Sequence, residues 1–130
     1  MTSESKKFYG STNPTPEEVR ASGVRRMASV WPLNLEGEEV YRELHANTWP
    51  SIVERLRKSN FRNYSIYIAE IDGKKFVFTY LEYVGTDWEA DGEAIAADPE
   101  TARWSKALRP ARHPDPAPKC TEPEMVFFME

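Results

Sequence analysis

A single cysteine, Cys120, in 130 residues leaves nothing within the chain for it to pair with. The fold has to stand on packing alone, and the chain suits a reducing compartment better than secretion. Glycine is sparse too, six residues scattered without a phosphate-cradling loop, dinucleotide fingerprint or nucleophile elbow. Ordinary cofactor enzymes are a poor fit, and no cofactor is expected. Only two histidines, His45 and His113, accompany the cysteine, with no ligand-like spacing among them, so no metal site is expected. No stretch approaches the ~20 apolar residues of a membrane span, and Met1 to Gly10 lacks the apolar run of a signal peptide. The expectation is a cytoplasmic protein that does not bind membranes. Its 17 Lys and Arg are spread among 21 Asp and Glu without a basic stripe, for a net charge of -4. That removes the electrostatic footprint of a nucleic-acid binder.

What the chain does have is aromatic rings: four Trp, six Tyr and six Phe. In so short a sequence they favour a self-associating surface, or a pocket that stacks on a planar or sugar ligand. A chain of this length is one domain by prior and buries roughly two-thirds of its unfolded surface. Residues 1–23 are polar and are expected to be a mobile tail, with Thr15 and Pro16 able to start at most a short helical turn. Residues 24–130 are expected to form the domain.

Val24 to Leu33 alternates as a first strand that Pro32 should end. The stretch Tyr41 to Pro50, YRELHANTWP, then sets Tyr41 and His45 one helical turn apart on one face. Val40 and Leu44 form the neighbouring row, which would put Tyr41 and His45 at the edge of the core-facing side. Pro50 predicts a break or strong kink at Asn47 to Pro50, giving two short helices or one kinked helix, with Thr48 a fair cap for the part carrying Ile52, Val53 and Leu56. Asn63 to Tyr83 reads as a hairpin about Asp72-Gly73. Pairing Ile71 with Lys74 places Ile68 opposite Val77, Ile66 opposite Thr79 and Tyr64 opposite Leu81. The other face carries Ser65, Tyr67, Ala69, Phe76, Phe78 and Tyr80, so both faces are apolar, and a homodimer packed through one of them is expected. Thr86 to Ala97 and Pro99 to Leu108 read as helices, the second capped by Asp98. The acidic run Asp87, Glu89, Asp91 and Glu93 reads as a solvated face. A proline-rich loop spans residues 110–123, and Met125 to Met129 reads as a last strand. This order describes an α+β, ferredoxin-like sandwich: a four-stranded antiparallel sheet, helices on one face, dimeric through the other.

The candidate chemistry is an imidazole among hydroxyl-bearing rings. Imidazole suits general acid or base work, and tyrosines donate and accept hydrogen bonds from an apolar body. Tyr64 belongs on the helix-facing side of the hairpin and can meet His45 in one pocket, while Trp49 and Trp104 offer flat surfaces for a sugar. Taken singly, each has a plainer reading: His45 as a boundary residue, Tyr41 and Tyr64 capping the core, Trp49 and Trp104 as packing. His113 is read as structural.

Taken together, YRELHANTWP, NYSIY after a short helix, Arg103-Trp104, HPDPAP and the closing VFF resemble the L-rhamnose mutarotases over about Val24 to Phe128. The resemblance implies a dimeric ferredoxin-like fold and cofactor-independent exchange of the α and β anomers of a deoxy-hexose, a small monosaccharide partner. It implies His45 as proton donor, and Tyr41, Tyr64 and Trp104 as sugar-binding residues. Ser105 stands where the family commonly carries a second tryptophan, at a sugar-contacting position, and Ser51 replaces a glutamate often found after Trp-Pro. These departures leave L-fucose or another hexose open as the substrate. A cofactor-free monooxygenase with an aromatic pocket, or a non-catalytic sugar-binding module, are the alternatives.

Overall fold

The structure is a computed structural model that describes residues 21, 23–114 and 120–129; the expected tail falls almost wholly outside them. Three strands, β1 (Arg25–Pro32), β2 (Phe61–Ile71) and β3 (Lys74–Tyr83), form an antiparallel sheet in the order β1-β3-β2. Between β1 and β2 lie a 3-10 turn at Leu35–Gly37, helix α1 (Glu38–Ala46) and helix α2 (Pro50–Lys58). After β3 come α3 (Trp88–Ala97), α4 (Pro99–Ala107) and a second 3-10 turn at Arg109–Ala111. The fold is therefore α+β with helices packed on one face of an antiparallel sheet.

The hairpin follows its turn. Asp72 and Gly73 both have positive φ, 52° and 75°, the primed geometry that matches the twist of the flanking strands. Ile71 pairs with Lys74, Ile68 with Val77 and Ile66 with Thr79, as alternation requires. The expected pairing of Tyr64 with Leu81 does not form. Arg62 pairs with Glu82 and Ser65 with Tyr80, so Asn63 and Tyr64 together oppose Leu81. Asn63 sits at φ 47°, in the left-handed region asparagine tolerates, and makes the bulge. An extra residue inverts the alternation beyond it, so Phe61 joins Tyr83 on the inner face while Tyr64 stays on that face with Ile66.

Residues of the inner face, Trp31, Ile66, Ile68 and Val77, meet Tyr41, Ile52, Leu56, Trp104 and Leu108 from the helices in one core. Val77, on the central strand, is fully buried, which stabilises by about 1.5 to 3 kcal/mol relative to exposure. Helix α1 is turned differently from the expectation. Tyr41 is 5% exposed and Val40 is 38% exposed, with Leu44 between them. The cause is Gly37, whose missing side chain lets the backbone of Pro110 and Ala111 come against the start of α1 and draws the Tyr41 face inward.

Two polar side chains also differ from the expectation. Thr48 does not cap α2; its hydroxyl donates to the carbonyl of His45 at 2.8 Å and closes α1 instead. Asp91 is no solvated bystander, since it accepts from the Tyr83 hydroxyl at 2.6 Å and the Asn60 amide at 2.9 Å, tying α3 to the sheet. Asp98 caps α4 as expected, accepting from the Glu100 amide.

Among the described residues Met125–Met129 forms no strand. Thr121 makes a single antiparallel bridge with Val30 on the free edge of β1, and the ladder goes no further. Pro123 lacks the amide that the next rung needs. The tail still follows β1, with the Arg26 guanidinium 3.9 Å from the centroid of the Phe128 ring.

Candidate functional site

Helix α1 sets the centre of the site. The rings of Tyr41 and His45 lie 4.2 Å apart, one turn from each other. His45 Nδ1 is 2.8 Å from the carbonyl oxygen of Tyr41. A carbonyl only accepts, so Nδ1 carries the hydrogen and the neutral ring presents a bare Nε2. The same nitrogen becomes a donor once the ring is protonated. The imidazole is thus held in one tautomer by its own helix.

Pro50 takes Trp49 out of this row. As the residue before proline, Trp49 is extended, at φ -61° and ψ 130°, and Pro50 opens α2 at its first turn. Trp49 swings to the edge of Trp104, centroids 5.1 Å apart at 79°, and Trp104 in turn meets His45 edge-on at 5.3 Å. Arg103 covers Trp49 from outside at 4.8 Å, and the Ser51 hydroxyl donates to Glu100 at 3.0 Å, joining α2 to α4. On the opposite side Trp31 from β1 stands edge-on to Tyr41 at 5.6 Å.

Part of this cluster borders a pocket of about 480 Å³ that is partly open to solvent. Tyr41, His45, Tyr64, Trp104 and Ser105 all line it. Trp49 does not; it supports Trp104 from behind, because the proline that breaks the helix also rotates the indole away. Ser29 and Thr79, cross-strand partners whose hydroxyls bond to each other, and Ile66 contribute the sheet side. Tyr64 remains 42% exposed but reaches the pocket with its hydroxyl desolvated.

The phenols are held neutral. Burial raises the Tyr41 pKa well above its ordinary value, the neighbouring Tyr64 adds to the rise and Arg112 opposes it. Burial is also the main cause of the rise at Tyr64, with Cys120 adding to it. Both hydroxyls therefore keep their protons at neutral pH and can donate hydrogen bonds to a ligand oxygen. Tyr41 and Tyr64 feel each other electrostatically across the pocket, while Tyr64 makes no hydrogen bond to His45 among the described residues.

Sequence reasoning missed several lining residues, Trp31, Arg112 and His113 among them. Trp31 could have been found, since alternation along β1 puts it on the face of Ser29 and opposite Val77. Arg112 and His113 carried no such signal, lying in a proline-rich segment without periodicity. They arrive because the turn at Arg109–Ala111 is fixed from two sides. Asn34 donates from its backbone to Ala111 at 2.8 Å and from its side chain to Arg112 at 3.3 Å. Among the described residues no group of three or more His, Cys, Asp or Glu is placed to hold a metal ion, and no helix is long and apolar enough to cross a membrane.

An imidazole of fixed tautomer, set between neutral phenols and indole edges in an antiparallel α+β fold, is equipment for moving protons on a hydroxyl-bearing ligand. Residues 26–129 match the family model of the L-rhamnose mutarotases. The chain belongs to that family, which makes it an isomerase of the mutarotase type. It is 30% identical to an L-rhamnose mutarotase of Lactiplantibacillus plantarum over 81% of its own length and 98% of the relative's. To one of Bacillus subtilis it is 28% identical, over 82% and 100%. The crystal structure of an L-rhamnose mutarotase from Formosa agariphila matches with a TM-score of 0.61 at 26% identity, covering 82% of this chain and 99% of that one. Neither an oxidative nor a purely binding role gains support from these relatives.

Proposed function

We propose that the protein interconverts the α and β anomers of L-rhamnose by acid/base ring opening in the pocket around His45. The observation that carries this is that His45 lines a ligand-sized cavity with its Nδ1 engaged by the Tyr41 carbonyl, which leaves Nε2 as the ring nitrogen for proton transfer. Opening a hemiacetal needs a proton delivered to the ring oxygen and one removed from the anomeric hydroxyl; positioned groups are worth ~10² to 10⁴ in rate. In this reading protonated His45 is the donor. Tyr41 and Tyr64 hold sugar hydroxyls, Trp104 gives a flat wall, and Ser105 leaves room where a larger ring would narrow the pocket. Trp49 acts through Trp104. Neither metal nor organic cofactor has a part. The unit is the single domain over residues 24–130, working in the cytoplasm, where Cys120 stays reduced.

We further place the working form as a ferredoxin-like homodimer. Tyr67 on the outer sheet face is 59% exposed and Phe127 beside the free edge 62%, with Phe76, Phe78 and Tyr80 only half-buried. A second copy would cover this surface and complete the sheet edge that Thr121 begins.

Saturation-transfer NMR tests the function directly. Added protein should exchange the two anomer signals of L-rhamnose, and do so less well for L-fucose and common aldoses. His45→Ala should slow the exchange by ~10²-fold or more. Full activity in that variant would refute the acid role, and line broadening without exchange in the parent would mean binding only. A clean monomer at micromolar concentration by light scattering would sink the dimer.

A further inference from the structure

Two imidazoles are all the chain possesses, 68 positions apart, and the fold delivers both to one pocket. His45 arrives on a helix, and His113 two residues after the buried Ala111, the end of the turn that Asn34 and Gly37 hold in place. No Asp or Glu lines this pocket among the described residues, although the chain carries 21 of them. The usual carboxylate base is therefore missing from the described wall. Tyr41 and Tyr64 cannot take its place, since burial keeps their phenols protonated.

His45 cannot supply both proton transfers at once. Its Nδ1 is committed to the Tyr41 carbonyl, so a single nitrogen, Nε2, faces the ligand. Ring opening needs one group that gives a proton while another takes one. We propose that His113 is the second acid/base group, paired with His45 across the sugar. This rests on the mutarotase reading of the pocket.

The step balances with one imidazole protonated and one neutral. The protonated ring gives its proton to the ring oxygen as the C1–O5 bond breaks and its electron pair goes to O5. The neutral ring takes the proton of the anomeric hydroxyl, whose O–H pair becomes the carbonyl π bond. After rotation about C1–C2 the same transfers run in reverse on the other face of the carbonyl. Nothing is oxidised, and the pair ends with the single proton it began with.

Exchange should then follow a bell-shaped pH profile, falling when both rings are protonated and no base remains, and again when neither is and no acid remains. The other titratable or charged groups lining the pocket are Tyr41, Tyr64, Arg112 and Cys120. The elements packed against the Arg109–Ala111 turn carry Glu36, Glu38, Glu39, Glu43 and Arg42 ahead of and along α1, and Glu100, Arg103 and Lys106 on α4. Glu38 is engaged by Lys75 and Arg42, and Glu100 by Arg103.

The test is the anomer-exchange rate of the full chain and its His113→Asn and His113→Gln variants across a pH series, with melting temperatures checked in parallel. The expected result is a fall in kcat of ~10²-fold with KM little changed. One limb of the bell should disappear, and added imidazole should restore part of the rate. Parent-like kcat with both limbs kept, or a raised KM at unchanged kcat, would overturn the assignment. If the parent itself exchanges no sugar, the mutarotase reading falls instead, before His113 is in question.

Discussion

Replacing Gly37 with alanine should damage both the fold and the pocket, and the size of the effect follows from one close approach. A Cβ on Gly37 would lie 2.1 Å from the carbonyl carbon and oxygen of Pro110 and 2.2 Å from the Ala111 nitrogen. Ordinary contact begins near 3.4 Å, so the two segments must part by about 1.3 Å. All three atoms are backbone, so no side chain can swing aside. Backbone strain is not the cause, because Gly37 sits at φ -107° and ψ 6°, open to any residue. Overpacking of this kind costs about 1 to 3 kcal/mol. Parting the segments also strains the two bonds from Asn34 to Ala111 and Arg112, each worth about 0.5 to 1.5 kcal/mol. We expect Gly37→Ala to lose about 2 to 4 kcal/mol, a drop in Tm of roughly 10 °C for a chain of this size. The turn carries Arg112 and His113 into the pocket, and a displacement near 1 Å at a reacting group can cost ~10²-fold in rate. A thermal melt and anomer-exchange NMR at a temperature where the variant is folded measure the two effects. A melt within about 2 °C of the parent would refute the close-approach argument. A lowered Tm with parent-like exchange would refute the link from turn to pocket.

Trp49 supports Trp104 without lining the pocket, so Trp49→Leu should raise KM for the sugar by a few-fold while costing about 1 to 3 kcal/mol of stability in a chemical melt; an unchanged KM would show that Trp104 holds its place unaided. Acid should destabilise the protein through two carboxylates. Hydrogen bonds from Tyr83 and then Asn60 hold Asp91 below its ordinary 3.8, and Lys75 and then Arg42 hold Glu38 below 4.5. Folded values below unfolded ones mean that this stability is present above the ordinary values and is lost as pH falls through the folded ones. The combined Asp91→Asn, Glu38→Gln variant should show a flatter loss of stability below about pH 5 in denaturant titrations, and a slope equal to the parent's would contradict the assignment.

How much of this was legible in the chain depends on how local each cause is. The hairpin was readable because Asp72-Gly73 and alternation on both sides fix register within a few residues, and α4 because Asp98 and Pro99 mark its start. Tyr41 and His45 were placed together by helical spacing alone, and Pro50 marked where Trp49 would leave them. The bulge at Asn63 was not readable, since an extra residue in one strand shows only against its partner. The rotation of α1 that buries Tyr41 needed the contact between Gly37 and Pro110, 73 positions away. The last strand was overread, because the run of apolar residues after Pro123 has the composition of a strand without the amide to continue its ladder.

The sequence by itself determined the identities of β1 to β3 and of α1 to α4, the pairing of Tyr41 with His45 and the family, because each rests on spacing or motif along the backbone. Only tertiary structure decided that Ser29, Trp31, Arg112 and His113 share a pocket with them and that Trp49 stands behind it. Those placements depend on distances between segments far apart in the chain, set by where a glycine permits approach and where backbone hydrogen bonds then hold it. Periodicity carries no record of such distances.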